Sequence, residues 1–423
     1  MLKNIQIIAI ILSICIGCSS EPEINIKASI GKYNLANEIN AKISEEHFFQ
    51  DQAIKNINPR LGKALIKQLD SQKIYFTQNE ILYFTNKFQS SSNDVELAAS
   101  YELINLYFNR LVEATKYQIK VIQKKNFDFS EVENILIDND LQGFREANLD
   151  LREIWVKLAK NDVLTSMLTD KSEDEAIELI SKRYKNRLRR ISQRNEEDIF
   201  SIVMNNLTGL FDPHSSYMSP KSAEDFEMTM SLNLEGIGAL LTTEDDYPII
   251  VSVVPGGPAE KSGKINPDDK IVKVRQIKKV EVDSVDVVGW RIDEVVQLIR
   301  GEAGTQLELE IIPAKTEDLS DRKWVLLTRE EVKLEEQAAK SLIIDSAQGG
   351  INFKIGIIDL PAFYIDFNAW RDRDPDFRSS SKDVENILSQ FKLANVDAVI
   401  VDLRGNSGGS LYEANKLTGL FVS

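Results

Sequence analysis

Residues Val396–Ser410, VDAVIVDLRGNSGGS, constrain the fold more than any other stretch of this chain. A nearly continuous apolar run that ends in a glycine-rich turn is the pattern of a strand buried on both faces, and such strands lie in sheets covered by helices. Lys354–Pro361, KIGIIDLP, is a second run of this kind. Between them Lys382–Leu393 reads as a helix, and LYEANKLTGLF after the turn reads as another, on Leu411, Leu417 and Leu420. An α/β domain over residues 325–423 is therefore predicted, preceded by the charged, partly helical stretch LTREEVKLEEQAAKS. Glycines at a strand-to-helix junction can present backbone N–H groups to developing negative charge, and they can equally serve a tight bend. GNSGG lacks the GK[ST] of a phosphate loop and the register of a G-x-S-x-G elbow.

A second change of pattern falls between Met228 and Pro313. Ile249–Val254 and Lys270–Val274 are strand candidates, and Gln306–Ile312 alternates Leu307, Leu309 and Ile311 against polar neighbours. Ile292, Val295, Val296 and Ile299 recur at helical spacing and mark one amphipathic helix. Gly236 and Gly238 in LEGIGA strip side chains from a short loop, so successive N–H groups can converge on a carboxylate while a peptide adds as an extra strand. A structural turn is the plainer reading of the same two glycines.

The first half is charged, poor in glycine and helical in period. LREIWVKLAK places Leu151, Ile154, Trp155 and Leu158 on one face, and Ser172 with Glu175 forms a capping box before AIELISKRYKNRLRRI. Two turn-like segments interrupt it, LDSQKIYF at Leu69–Phe76 and FDPHSSYMSP at Phe211–Pro220, where Tyr75 and Tyr217 can pack a polar turn onto the body. The chain has only two histidines, His47 and His214, with no cysteine beside them, which argues against a zinc site. His214 reads as a turn-fixing residue. The net charge of −15 argues against nucleic acid, and basic Arg187–Arg194 reads as a solvated helix face.

MLKN followed by IQIIAIILSICIG reads as a signal peptide over residues 1–18. Gly17 before Cys18 is similar to a bacterial lipoprotein signal, with Cys18 lipidated after cleavage and the protein tethered to a membrane. Cys15 stands where that pattern usually has an aliphatic residue, and ordinary secretion or an uncleaved anchor are the alternatives. Both cysteines lie in this segment, so the exported body has no disulfide.

Wider patterns add a resemblance. LEGIGALL, VPGGPAEKSGKINPDDKIVKV and DEVVQLIRGEAGTQLELEI together resemble a PDZ domain. That resemblance makes Gly236, Ile237, Gly238 and Ala239 the carboxylate-binding loop and places Val295 and nearby helix residues along the peptide groove. Asp268 stands where a glycine commonly precedes the aspartate of the turn, and a local backbone adjustment is expected there. With LDSQKIYF, FDPHSSYMSP, REEVKLEEQAAKS, KIGIIDLPAFY and VDLRGNSGGSLYEANKLTGLF in order, the chain resembles the tail-specific protease, or carboxy-terminal processing peptidase, family from about residue 30 to 423. The resemblance implies a multidomain α+β protein: a helical N-terminal domain at 24–227, a PDZ domain at 228–316 and an incomplete α/β, crotonase-like protease domain at 325–423.

The implied activity is that of a serine endopeptidase with a lysine base, acting on exported proteins recognised by apolar C-terminal tails. The implied setting is the periplasm of a Gram-negative bacterium, sometimes with a lipoprotein adaptor. No cofactor or metal is implied. Gly408 and Gly409 match the family's glycine turn, one of whose N–H groups contributes to the oxyanion hole, and Ser407 replaces a glycine often found there. Asp402, Arg404 and Asn406 match framework positions, for which salt-bridging and turn capping are the physical roles. The nucleophilic serine and its lysine are expected beyond Ser423. Lys340–Ser341 and Ser381–Lys382 do not replace them, because sequence neighbours on a strand point to opposite faces and on a helix are badly oriented for contact. A non-catalytic tail-binding protein and an inert gene fragment are the other readings.

Overall fold

The computed structural model describes residues 23–422 apart from 49–55, 90–93, 125–126, 131, 136–142, 170, 245, 278–281, 317–319, 335–336 and 349–350. Cys18, the expected lipidation position, and Ser423 lie outside the described residues. The chain divides into two compact units, Met1–Ser219 and Pro220–Ser423. No described helix is long and apolar enough to cross a membrane.

The first unit is helical: α1 (Ile30–Glu46), α2 (Ile57–Leu69), α3 (Gln78–Lys87), α4 (Leu97–Gln123), α5 (Asn148–Met167), α6 (Glu173–Ser192) and α7 (Glu196–Thr208). Helix α4 has 27 residues and is therefore about 40 Å long. It supplies Leu103, Ile104 and Phe108 to one core, with Leu61, Phe84, Phe200 and Val203. Nearer its C-terminus it supplies Ala114 to a core with Leu151 and Trp155, and Ile122 to another with Val163 and Ile180. The capping box expected at Ser172 and Glu175 is present, each side chain taking the other's backbone N–H.

The turn-like segments are built on buried or bridging aspartates. Asp70 is 2% exposed and accepts the N–H groups of Ile74, Tyr75 and Phe76 at 2.8, 2.9 and 2.9 Å. The Trp155 indole N–H donates to the Ile74 carbonyl at 2.7 Å and locks the turn onto α5. In the second segment Asp212 accepts the N–H groups of His214 and Ser215, the Ser215 hydroxyl and a hydrogen bond from His47 Nε2 at 2.7 Å. Ser215, His47 and the His214 N–H hold its carboxyl well below the usual carboxylate range. Tyr217 packs edge-on against Phe200 and donates its hydroxyl to Glu197.

The second unit opens with α8 (Pro220–Ser231) and β1 (Asn233–Gly236), followed by β2 (Ala239–Glu244), β3 (Tyr247–Val253), α9 (Pro258–Ser262), β4 (Lys270–Ile277), β5 (Val282–Asp286), α10 (Ile292–Ile299), β6 (Gln306–Ile312) and β7 (Lys323–Thr328). One antiparallel sheet has the order β2-β3-β4-β6-β7, with β5 also paired to β4. Its core joins Ile250, Ile271 and Val274 to Leu307, Leu309 and Ile311, the three alternating leucine and isoleucine positions of β6. The sheet therefore extends through β7, past residue 316.

Part of LTREEVKLEEQAAKS is strand and not helix. Glu330–Lys333 forms β8, which pairs antiparallel with β1 so that Gly236 lies opposite Glu330. Then come β9 (Lys340–Gln348), β10 (Ile351–Asp359), α11 (Phe367–Arg371), α12 (Ser380–Leu393), β11 (Ala398–Asp402) and α13 (Leu411–Thr418). The strands KIGIIDLP and VDAVIVD become β10 and β11 and pair in parallel, with β9 antiparallel on the other side of β10.

Helix α12 covers one face of this sheet so closely that a Cβ on Gly356 would lie 2.4 Å from the Phe391 ring. On the opposite face the register aligns Leu342, Ile357 and Ile400 in one row and Ile344, Ile355 and Ala398 in the next. Burial on both faces, expected for these strands, is thus met on one only, since Leu342 is 59% exposed and Ile400 49%.

Candidate peptide-binding loop and glycine turn

Gly236 ends β1, Ile237 and Gly238 form the connection, and Ala239 begins β2. Ile237 is buried in the sheet core and anchors the loop from within. The Ile237 and Gly238 carbonyls are both taken, by the N–H groups of Ala259 and Val254, each at 2.8 Å. The Val254 carbonyl accepts from Gly257 instead of completing the pair with Gly238. Among the described residues, the N–H groups of Ile237 and Gly238 make no backbone hydrogen bond.

The glycine at 238 is required twice over. Its φ is +67°, in the left-handed region, and a Cβ there would lie 3.2 Å from the Cα of Gly257. Ala239 faces Val253 next to the Val254–Gly238 bond, in the position whose N–H and C=O turn away from β3. Strand β2 is the end strand of its sheet. A loop with two unpaired N–H groups therefore opens onto a strand with a free outer edge, the arrangement that accepts an extended chain and its terminal carboxylate.

Helix α10 packs beside β2. Val295, expected along the groove, has no exposed surface and belongs to the sheet core. Helical spacing explains the correction: Val295 and Ile299 form the inward ridge, whereas Ile292 and Val296 are only partly buried and carry the apolar surface of the helix.

The end of α10 is fixed by Arg329, which is 4% exposed. Its guanidinium donates to the carbonyls of Ile299 and Leu298, to Thr305 Oγ1 and to Gln276 Oε1 at 2.7–3.1 Å. Burial pulls its pKa below the usual arginine value. Arg329 immediately precedes Glu330, the register partner of Gly236, so one short segment touches both walls of the groove. Asp268 takes φ +67° itself, the conformation a glycine would adopt, and its N–H still bonds the Ile250 carbonyl at 2.7 Å.

The glycine turn lies between β11 and α13. Asp402 is held by Arg404, whose Nε and Nη2 donate to the carboxylate at 2.6–3.1 Å, and this lowers the Asp402 pKa to about 2. Asn406 caps the turn: its Nδ2 donates to the Leu360 carbonyl and its Oδ1 accepts the Gly408 N–H, both at 2.8 Å. The salt bridge and the cap are the roles inferred for these residues.

Of the two candidate oxyanion donors, Gly408 is thus already engaged. Gly409 makes no backbone hydrogen bond through its N–H among the described residues, which leaves it as the available donor. Its φ is +135°, and a Cβ would fall 2.4 Å from the Phe363 carbonyl oxygen. Ser407 lies outside the positive-φ residues and donates its N–H to the Pro361 carbonyl, so the exchange of glycine for serine costs no strain.

Sequence reasoning missed Glu413. It is completely buried in α13 and accepts the Ser381 N–H at 2.7 Å and the Ser380 hydroxyl at 3.1 Å, capping the start of α12. The neighbouring Lys382 donates to the carbonyls of Pro375 and Phe377. Lys340 and Ser341 are consecutive on β9.

The chain thus combines a helical unit, an antiparallel sheet with an open end strand beside the Gly236–Gly238 loop, and a parallel strand pair leading into a glycine turn. Three family models match in the same order: the tail specific protease N-terminal domain over residues 39–221, the PDZ domain over 226–312 and peptidase family S41 over 354–423. The chain belongs to the tail-specific protease family.

It is 33% identical over 386 residues to the tail-specific protease of Haemophilus influenzae, covering 90% of this chain and 52% of that protein. Identity to the carboxy-terminal processing protease CtpA of Bacillus subtilis is 28% over 263 residues, 61% of this chain and 49% of the relative. The chain thus spans about half the length of these relatives. Among solved structures, the PDZ domain of a carboxy-terminal protease from Vibrio cholerae, in complex with peptide, is 44% identical and covers 24% of this chain and 99% of its own, with a TM-score of 0.22. The photosystem II D1 C-terminal processing protease is 18% identical, covers 56% of this chain and 58% of its own, and has a TM-score of 0.27.

Proposed function

We propose that residues 228–316 capture polypeptides by an apolar C-terminal tail, on behalf of a serine endopeptidase that degrades or processes exported proteins. The observation that carries this reading is the pair of unpaired N–H groups at Ile237 and Gly238, set at the start of the free edge of β2. The terminal carboxylate accepts from those amides, the peptide backbone pairs with β2, and the last side chain lies against Ile292 and Val296 of α10.

In the peptidase reaction a lysine takes the proton of the serine hydroxyl and the serine oxygen attacks the scissile carbonyl. The oxyanion accepts a hydrogen bond from the Gly409 N–H, and collapse transfers the proton to the leaving amine. Water then releases the acyl group. The serine and lysine are assigned to residues outside 1–423, so this chain alone supplies capture and one oxyanion donor. The assignment to the periplasm, with lipid attached at Cys18, rests on the sequence of residues 1–18 and is tested by the mass of the N-terminal peptide after export.

The central test is fluorescence anisotropy with a peptide ending in a free-acid apolar residue, beside its amidated twin. Preference for the free acid is the expected result, and equal binding overturns the assignment of the loop. Incubation with a loosely folded protein bearing the same tail, read by intact mass, separates capture from hydrolysis. Tail-dependent cleavage would place the serine and lysine within these residues.

A further inference from the structure

Residues 23–29 run extended along the helical unit before α1 begins. Ile24, Ile26 and Ala28 pack against the core of that unit, while Glu23, Asn25 and Lys27 are exposed. Two asparagines of α4 hold the segment by its backbone. Asn109 accepts the Ile24 N–H and donates to the Ile24 carbonyl, both at 2.9 Å. Asn105 treats Ile26 in the same way, at 3.1 and 2.8 Å.

The geometry follows from two repeats. Four residues of helix advance about 6 Å, and two residues of extended chain advance about 6.6 Å, so asparagines one turn apart meet alternate residues of a strand. Here α4 offers the hydrogen bonds of a sheet edge through side chains. Such bonds read main chain only, and selection falls on the apolar side chains at every second position. Beside the seated segment a cavity of about 780 Å³ stays open, walled by residues 23–28 themselves together with Tyr33, Tyr83, Phe84, Tyr101 and Leu106.

We propose that the seat along α4 marked by Asn105 and Asn109 is a polypeptide-binding site of the helical unit, separate from the glycine loop, which takes extended segments with apolar residues at alternate positions. Residues 23–28 occupy it in cis. The seated segment is itself the evidence for the class of ligand: extended backbone, isoleucine at alternate places, polar residues outward. A linked occupant competes at high effective concentration, so a ligand in trans registers best when the chain's own segment is weakened.

The experiment uses the full chain carrying Ile24→Asp and Ile26→Asp, titrated with a fluorescein-labelled peptide of residues 23–29, EINIKAS. Saturable binding is expected, weakened at least about 10-fold when Asn105→Ala and Asn109→Ala are added. It is likewise weakened when the two isoleucines of the peptide are moved to adjacent positions. Absence of binding at millimolar peptide, or binding indifferent to the asparagines, overturns the proposal. Should the alanine variant fail to fold, hydrogen exchange of the peptide bound to the Ile24→Asp, Ile26→Asp chain decides: the N–H groups of its two isoleucines must gain protection, as those of Ile24 and Ile26 are bonded in the seated segment, and unchanged exchange overturns the proposal. Binding of a free-acid tail peptide, measured in the same proteins, reports the glycine loop separately.

Discussion

Gly238 offers a test in which strain and charge can be separated. Any L-residue there must adopt φ +67° and bring a Cβ to 3.2 Å from the Gly257 Cα and 3.4 Å from a Val332 methyl. The left-handed conformation alone costs about 1–2 kcal/mol, so Gly238→Ala should lower the stability of the second unit by about 2 kcal/mol. Gly238→Glu and Gly238→Lys carry the same backbone penalty but place opposite charges beside the site assigned to the peptide carboxylate. At about 4 Å a unit charge contributes about 1 kcal/mol in water and about 4 kcal/mol near a protein surface. A contribution of about 1–1.5 kcal/mol for each variant separates the two by about 2–3 kcal/mol, on the order of 100-fold in Kd.

The assay is anisotropy with free-acid and amidated tail peptides, on variants whose urea midpoints show that they are folded. The glutamate variant should bind the free acid weakest, and the two variants should converge within about 3-fold on the amide. Equal affinity of both variants for the free acid would refute the carboxylate reading even if both bound more weakly than the wild type.

Gly409→Ala should lower the urea midpoint by the equivalent of about 2–3 kcal/mol, because its Cβ would meet the Phe363 carbonyl; an unchanged midpoint contradicts the turn geometry. Arg329→Gln leaves buried carbonyls at the end of α10 short of donors and should cost about 2–3 kcal/mol. Hydrogen exchange localised to α10, with weaker tail binding, is the accompanying sign. Asp268→Gly exchanges left-handed strain for glycine entropy and should be neutral or stabilising by up to about 1 kcal/mol, which thermal melting reads directly. The Asp212 carboxyl has a folded pKa below its ordinary 3.8, so its contribution to stability is present above that value and is lost as pH falls further. Asp212→Asn should flatten the stability profile of the helical unit below pH 3.8, and an unaltered acid limb in urea titrations would show that Asp212 is not its cause.

Strands β10 and β11 and the helices at Ser172 and Ser380 are legible in the sequence because apolar runs and helical periodicity are local patterns, whereas β9, a mixed and largely exposed segment ordered by its pairing with β10, is not. Gly236 and Gly238 likewise form a local pattern, legible as a loop. Val295 is not resolved by such patterns, since helical spacing identifies an apolar ridge without saying whether it faces the sheet or the groove. Strand β8 is hidden by glutamates and lysine, because its order comes from pairing with β1, about a hundred residues away in sequence. His47 meets Asp212 across 165 residues, and a buried capping glutamate such as Glu413 looks like any surface carboxylate until the fold closes over it. The division of labour between Gly408 and Gly409 depends on a single side chain, Asn406, and no spacing rule predicts which amide it takes.

The asparagine pair on α4 also fixes a length. From Cys18 to Ile24 there are six peptide steps, which fully extended reach about 21 Å. A lipid attached at Cys18, as proposed, would be leashed within about 2 nm of the docked segment. If that lipid sits in a bilayer, the same six steps would set the greatest distance, about 2 nm, between the lipid headgroups and the N-terminal end of the docked segment.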